Sequence, residues 1–392
     1  VAPRKDLGRR PRLVATTRST PRLFLRWPAR AAIQAANRSR LLSRRGASAL
    51  ALGSGFAMFV IAHVGLAVAA ASSLWIRDPA YADREAALSR VEGALSPGAP
   101  VVVMLGTSRT GNGFDAKRAG EHLAARLGRP ADAFNFGLPA AGPILHRIYL
   151  ARLLADGHRP ALLLVEVLPP SVAHLKGGPL EQKFHDGTRF KPEEMRLLAR
   201  YGFDAGKLAR EQRETVVAPW YAFRFPLLGR VAPSALSVGR RHDESRTCDD
   251  HGWYRIWEEV LTPESIREAR GRAVRDYAET LRELNPAGPA VLALRDALDL
   301  ARASGIPTRL VLMPESSAFR GLYSAKSRAR FDRWIRELSL DSGCPLIDAR
   351  DWVPDGDFVD GHHLLPGGAA LFTDRLVDEI AHAIAHTPGA AP

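Results

Sequence analysis

The sequence predicts an α/β protein: a three-layer α/β/α domain around a five-stranded parallel sheet, preceded by one transmembrane helix. Three observations predict it. Short apolar runs recur at residues 101–105, 133–136, 161–167, 309–313 and 345–348; most lack the alternation of a half-exposed strand, as expected for strands covered on both faces. Segments with apolar residues at helical spacing separate these runs, which implies parallel strands joined by helical crossovers. Finally, the 31 residues from 46 to 76 contain no Lys, Arg, Asp or Glu, more than the ~20 apolar residues that cross a bilayer.

In chain order, residues 1–45 hold thirteen basic side chains and one acidic one, Asp6, for a net of +12 out of +13 in the whole 392-residue chain. The rest carries 42 basic against 41 acidic groups of the 55 and 42 in total. The high charge therefore belongs to the tail, and no nucleic-acid partner is expected for the globular part. With scattered Pro, Ser, Thr and Arg and no periodicity, the tail reads as disordered and able to adhere to anionic lipid. Arg-rich flanks stay in the cytoplasm. Residues 46–76 are thus expected to be a signal-anchor in the inner membrane, single-pass, with the N-terminus inside and the remainder periplasmic or extracellular. Ser43-Arg44-Arg45 resembles a twin-arginine export signal, and the small residues at 68–71 resemble a cleavage site. Either would export the domain as a soluble protein; the length of the apolar run favours the retained anchor. Residues 77–98 read as a short polar stem ending at Pro97-Gly98.

The domain is expected over 99–388. Val101-Val102-Val103-Met104-Leu105 is the first strand. Asp115 can cap a helix that stops at Gly128. Ala133-Phe134-Asn135-Phe136 is a second strand, residues 143–156 a helix, and 161–167 a third strand. Pro169-Pro170 interrupts the pattern, and residues 171–260 read as an insertion over the site. Order resumes at Thr262-Pro263, with proline at a first helical position. A helix over about 289–304, a strand at 309–313, a helix capped by Ser324, a strand at 345–348 and an amphipathic helix from Pro366 complete the domain. In such a sheet the site lies at the carboxyl ends of the strands. Cys248 and Cys344 do not demand a disulfide, and no Cys/His spacing resembles a zinc site; neither metal nor cofactor is expected.

Two short motifs carry chemistry. Gly106-Thr107-Ser108-Arg109 follows the first strand, so Ser108 points out of the sheet's carboxyl edge. A serine hydroxyl needs an adjacent base to act as a nucleophile. Asp360-Gly361-His362-His363 precedes the last helix, and its spacing of three puts Asp360 and His363 on one side of a turn. The carboxylate can orient the imidazole while the imidazole takes the serine proton.

With these residues the chain resembles the SGNH (GDSL-like) hydrolase superfamily, a flavodoxin-like fold that carries its serine after the first strand and its Asp-x-x-His before the last helix. The resemblance covers about residues 99–388 without the insertion. It implies Ser108 as nucleophile, His363 as base and Asp360 as the orienting carboxylate, with His362 as the alternate base if the loop register shifts by one. The oxyanion donors would be Ser108, Gly137 and Ala140. Arg109, Asn135 and Ser171 would contact substrate.

This sequence departs from the family in two places. The block Asn-x-Gly-x-x-Gly ends here in Ala140, tolerable if Ala140 offers its N–H and its φ is not positive. The position that normally supplies an Asn after the third strand holds Pro170, with neither side-chain donor nor N–H. Ser171 or an insertion residue would have to compensate. The departure resembles the envelope-polymer branch of the superfamily. That branch implies an anchored esterase or O-acyltransferase acting on an acylated cell-envelope polysaccharide or other envelope polymer, beside a membrane-bound O-acyltransferase. A non-catalytic glycan-binding or scaffold protein on the same fold is the alternative. Trp220, Tyr221, Trp253, Tyr254 and Trp257 would stack on sugar faces or form the insertion's own core.

Overall fold

The computed structural model describes residues 44–175, 177–236, 248–254 and 261–385. The tail up to residue 43, parts of the insertion that include Trp257, and the end of the chain lie outside the described residues. Two compact units meet at residue 61. Among described residues the first contains only the start of helix α1 (Arg44–Ser72). Its stretch Gly46–Ser72 is long and apolar enough to cross a membrane, and Leu52, Phe56, Met58 and Ile61 are exposed on it. The helix stops at Ser72, short of residue 76, because Leu74–Arg77 forms a separate short helix after Ser73, with Ile76 and Arg77 buried.

In the second unit, α2 (Pro79–Ala94) precedes β1 (Val101–Gly106). Then come α3 (Ser108–Gly113), α4 (Ala116–Leu127), β2 (Asp132–Gly137), α5 (Pro143–Ala155) and β3 (Leu162–Glu166). The insertion contributes α6 (Ala205–Val217), α7 (Pro219–Ala222) and α8 (Arg224–Val231). The domain then resumes with α9 (Pro263–Arg282), α10 (Pro289–Ala303), β4 (Thr308–Leu312), α11 (Ala325–Ser342), β5 (Leu346–Asp348) and α12 (Pro366–Ala385).

The five strands form one parallel sheet in the order β2-β1-β3-β4-β5, the doubly wound order of flavodoxin-like folds. Successive side chains of β1 point to opposite faces, and both faces are buried. Val101, Val103 and Leu105 join Phe134, Phe136, Leu163, Val165 and Leu310 under α5, α10 and α11. Val102 and Met104 join Ala133, Leu162, Leu164 and Val311 under α4 and α12. The caps read from sequence are in place: Asp115 accepts the Arg118 N–H, Gly128 closes α4 at φ 64°, and Ser324 accepts the Ser327 N–H.

The segment expected as a polar stem is part of this core. Tyr81 and Leu88 of α2 are 1% and 0% exposed. Asp78 holds the segment down: its buried carboxylate accepts from Arg152 at 2.7 Å, Arg189 at 2.8 Å and the Tyr149 hydroxyl at 3.2 Å. Burial would raise that carboxyl, but the two guanidinium charges outweigh it and hold the group far below the usual carboxylate range. Polarity misleads here because α2's acidic residues are spent on pairing: Glu85 and Glu92 with His158, and Asp83 with Arg230. Cys248 and Cys344 form no disulfide with each other.

Candidate active site

Strand β1 runs apolar to Gly106, and the chain then turns sharply into α3. Thr107 makes that turn. Its hydroxyl oxygen accepts the Arg109 N–H at 3.0 Å and caps the helix. A carboxylate missed from sequence fixes the turn from below. Glu166, 1% exposed at the end of β3, accepts the Thr107 N–H at 2.7 Å, the Thr107 hydroxyl at 3.0 Å and the Thr110 hydroxyl at 2.7 Å. Its signal was the single charge at the carboxyl end of an otherwise apolar run. Gly106 is required here, since a Cβ would lie 1.9 Å from the Thr110 Oγ1 and 2.6 Å from the Glu166 carboxylate.

Ser108, first residue of α3, is half-buried and faces the loop before α12. Its Oγ lies 2.8 Å from His363 Nε2, and His363 Nδ1 lies 2.6 Å from Asp360 Oδ2. The loop is shaped by Asp360, whose Oδ1 accepts the N–H groups of His362 and His363 at 3.1 and 2.8 Å. Gly361 bends it at φ 96°, where a Cβ would come within 2.8 Å of the Ser316 hydroxyl. Burial alone would raise the Asp360 carboxyl. The His363 charge and hydrogen bond, helped by His362, outweigh that and hold it well below the usual carboxylate range, so it is ionised.

The adjacent histidine does something else. His362 is 5% exposed and packs between Phe319 and Tyr277, with ring centroids 4.9 and 5.1 Å away. Its Nδ1 is 3.2 Å from Asp360 Oδ1 but not aligned for a hydrogen bond. Burial, then the neighbouring His363 charge, pushes its pKa well below the usual histidine range. The loop register therefore gives the serine-facing place to His363. Asp360, His362 and His363 also present ligand atoms within 4.8 Å of one another. Both nitrogens of His363 are already engaged by Ser108 and Asp360, which makes the cluster a poor cation site.

Four sequence-predicted roles are corrected. Gly137 N–H is taken by Asn135 Oδ1 at 2.9 Å, so it is not offered to an oxyanion. Gly137 instead allows close packing, as a Cβ there would lie 2.3 Å from the Gly111 nitrogen. Asn135 is fully buried, and its amide donates to the Thr110 and Phe114 carbonyls at 2.8 and 2.7 Å, tying α3 to β2. Arg109 is 2% exposed; it donates to the Met313 and Pro314 carbonyls at 2.9 and 2.7 Å and lies 3.5 Å from the buried Glu315. It braces the turn after β4. The Ser171 hydroxyl donates to Leu168 O at 2.7 Å inside its own buried turn, so it does not replace the donor lost at Pro170.

Ala140 departs from the sequence-based condition in another way. Its φ is +56°, the only left-handed non-glycine among the described residues. An L-residue there costs ~1–2 kcal/mol, and such strain clusters at functional sites. Its carbonyl accepts from His185 Nε2 at 3.0 Å.

A cleft of about 520 Å³ opens over Ser108 and His363. Pro139 and Tyr254 line it, together with residues of helix α9. Helix α9 supplies Glu268, Arg272, Asp276 and Tyr277, and Arg272 donates to Glu268 at 3.3 Å. Among the described aromatic residues singled out in the insertion, only Tyr254 lines this cleft. Trp253 is 5% exposed and donates from Nε1 to the Asn112 carbonyl at 2.8 Å, while Trp220 and Tyr221 lie half-exposed on α7. From sequence only the start of α9 at Thr262-Pro263 was marked; its cleft-lining charges carry no motif.

No family model matches the chain, and no curated protein matches it. Solved structures that resemble it include one described as a lipolytic protein of the G-D-S-L family from Desulfitobacterium hafniense DCB-2, at 10% identity over 71% of this chain and 98% of that one, TM-score 0.32. A gut microbial diltiazem-metabolizing enzyme is 11% identical over 72% of this chain but only 47% of its own, TM-score 0.31. A chain described as an arylesterase from Agrobacterium tumefaciens str. C58 is 12% identical over 72% and 98%, TM-score 0.26. Likenesses this distant decide no chemistry; the side chains must.

Proposed function

We propose that this chain is a membrane-anchored, extracytoplasmic serine esterase or O-acyltransferase of the SGNH kind, acting on an acylated cell-envelope polysaccharide. One observation carries the reading: Ser108 Oγ, His363 and Asp360 form a continuous chain of short contacts, 2.8 and 2.6 Å, at the carboxyl edge of the sheet. That is the arrangement a nucleophile, its base and the base's orienting carboxylate require. In the proposed reaction Ser108 Oγ attacks the acyl carbonyl and its proton passes to His363 Nε2. Asp360 stabilises the imidazolium. Collapse of the tetrahedral intermediate expels the alcohol, which leaves with the proton from His363, and an acyl ester remains on Ser108. His363 then takes a proton from water, for hydrolysis, or from a second sugar hydroxyl, for transfer. That oxygen attacks the ester, and His363 returns the proton to Ser108.

The backbone N–H groups of Ser108 and Ala140 are assigned to the developing oxyanion. The strain held at Ala140 and its place beside Pro139 on the cleft wall support that assignment. A carbohydrate substrate suits a cleft walled by Glu268, Arg272 and Asp276 and flanked by the Tyr254 and Tyr277 rings. The exported location rests on the apolar stretch Gly46–Ser72 behind an Arg-rich tail. An ester-mimicking phosphonate should label the full-length protein on Ser108, and Ser108→Ala should abolish labelling; equal labelling of both would overturn the mechanism.

A second reading is favoured by the occupied Gly137 N–H and by Pro170, which remove two oxyanion donors. Losing one such donor costs ~2.7–4 kcal/mol in activation energy. On this reading the protein binds acylated glycan without turnover, and Ser108→Ala retains full function in cells.

A further inference from the structure

We propose that helices α6, α7 and α8 of the insertion, together with Trp75, form an apron that lies in the outer interface of the bilayer beside α1. This inference rests on reading α1 as a membrane span. Trp75, Val217, Trp220, Tyr221, Leu228 and Val231 are large apolar or aromatic side chains, and each is between 37% and 79% exposed. Leaving such side chains in water forgoes the free energy gained by burying them. A group of them on short adjoining helices marks an interaction surface.

The occupant follows from what the surface adjoins. The last turns of α1 are packed into the same helices: Ala70 and Phe223, both 0% exposed, form a small core with Leu66, Ala222 and Leu227 around them. His63 Nε2 lies 3.1 Å from the Val216 carbonyl. Arg77 fastens the exit of α1, donating to the Ala70 carbonyl at 2.8 Å and to the Thr188 and Phe190 carbonyls at 2.9 and 2.8 Å. His63 is the eighteenth residue counted from Gly46, and a hydrocarbon core consumes ~20 helical residues. Val216 and its neighbours thus stand at headgroup level.

The chemistry fits that depth. Trp and Tyr concentrate at membrane interfaces. Arginine guanidiniums lie over their rings: Arg224 is 3.8 Å from the Tyr221 ring centroid and 4.3 Å from that of Phe225, and Arg230 is 4.8 Å from that of Trp75. Arg230 is engaged by Asp83 at 2.6 Å and ties α8 to α2; a guanidinium stem such as that of Arg224 along apolar surface, with its head toward lipid phosphate, is the interfacial habit of arginine. The apron would hold the domain at a fixed attitude on the membrane, which a single helix alone would leave free to swivel.

The test uses the full-length protein in nanodiscs of phosphatidylcholine and phosphatidylglycerol, on a Cys248→Ser background. An environment-sensitive fluorophore is attached at Val217→Cys, Val231→Cys, Met58→Cys in the apolar helix, or Leu340→Cys, a site 82% exposed on α11. Chain-brominated lipid should quench the labels at 217 and 231 roughly twofold or more, quench the label at 58, and leave that at 340 unchanged. Quenching at 58 without quenching at 217 and 231 would overturn the apron and leave the anchor standing. No quenching at 58 would remove the anchor and the apron together. Shielding of 217 and 231 by self-association, insensitive to bromination, would identify the surface as a protein interface and refute the lipid assignment.

Discussion

The Glu166 carboxylate and the Thr107 backbone N–H, one residue before Ser108, are 2.7 Å apart. Two threonine hydroxyls complete the clamp. A buried carboxylate from the neighbouring strand therefore sets the backbone that aims Ser108.

Glu166→Gln replaces one acceptor oxygen with a donor and leaves a buried group unmatched. Hydrogen bonds to a charged group contribute ~1.5–3 kcal/mol. The variant should lose several degrees of melting temperature and label with phosphonate about tenfold more slowly, the order expected when ~1.4 kcal/mol of positioning is lost. Labelling kinetics and thermal denaturation read both effects; an unchanged rate would assign Glu166 to stability alone.

Ala140→Gly relieves the left-handed strain at no cost to the backbone N–H. Relief of ~1–2 kcal/mol, less the extra chain entropy of glycine, should raise the melting temperature by a few degrees. Phosphonate labelling should persist at the parent rate or above. Loss of labelling would remove Ala140 from the oxyanion site.

Asp360→Asn preserves shape but removes the charge that orients and stabilises His363. Turnover should fall by about 10³–10⁴. His362→Phe, by contrast, fills a ring-lined pocket between Phe319 and Tyr277 and should retain most activity. Single-turnover rates of both variants separate the adjacent histidines.

Buried histidines make the fold acid-sensitive. Burial lowers the His146 pKa to about 4, against the opposing pull of the Glu166 carboxylate and the Gly106 backbone. Burial and the Arg189 charge lower that of His185 to about 3. An unfolded histidine titrates near 6.5. Between pH 6.5 and 4 the unfolded chain therefore binds more protons, and stability is lost as pH falls through that window. For His146 the loss is about 3 kcal/mol across the interval. Denaturant midpoints measured from pH 7 to pH 4 should fall, and His146→Leu should flatten the slope.

The sheet was legible because its strands are buried on both faces, so five apolar runs marked it without ambiguity. The Ser108, Asp360 and His363 positions were legible as motifs at the ends of those runs. What stayed hidden depended on long-range pairing. The destination of the Asn135 amide, the partner of Arg109 and the anchoring of Asp78 are fixed by residues dozens to hundreds of positions away. A polar helix such as α2 looks solvated until Asp83, Glu85 and Glu92 are seen to be paired. Left-handed geometry at Ala140 was equally invisible, since alanine carries no turn signal.

Ser108 and His363 are separated by 255 positions. A chain still emerging from a ribosome or translocon displays its serine long before the imidazole exists to activate it. Fragments that end before His363 would be chemically silent. The enzyme proposed here would switch on only after its Asp360–His363 loop has been made.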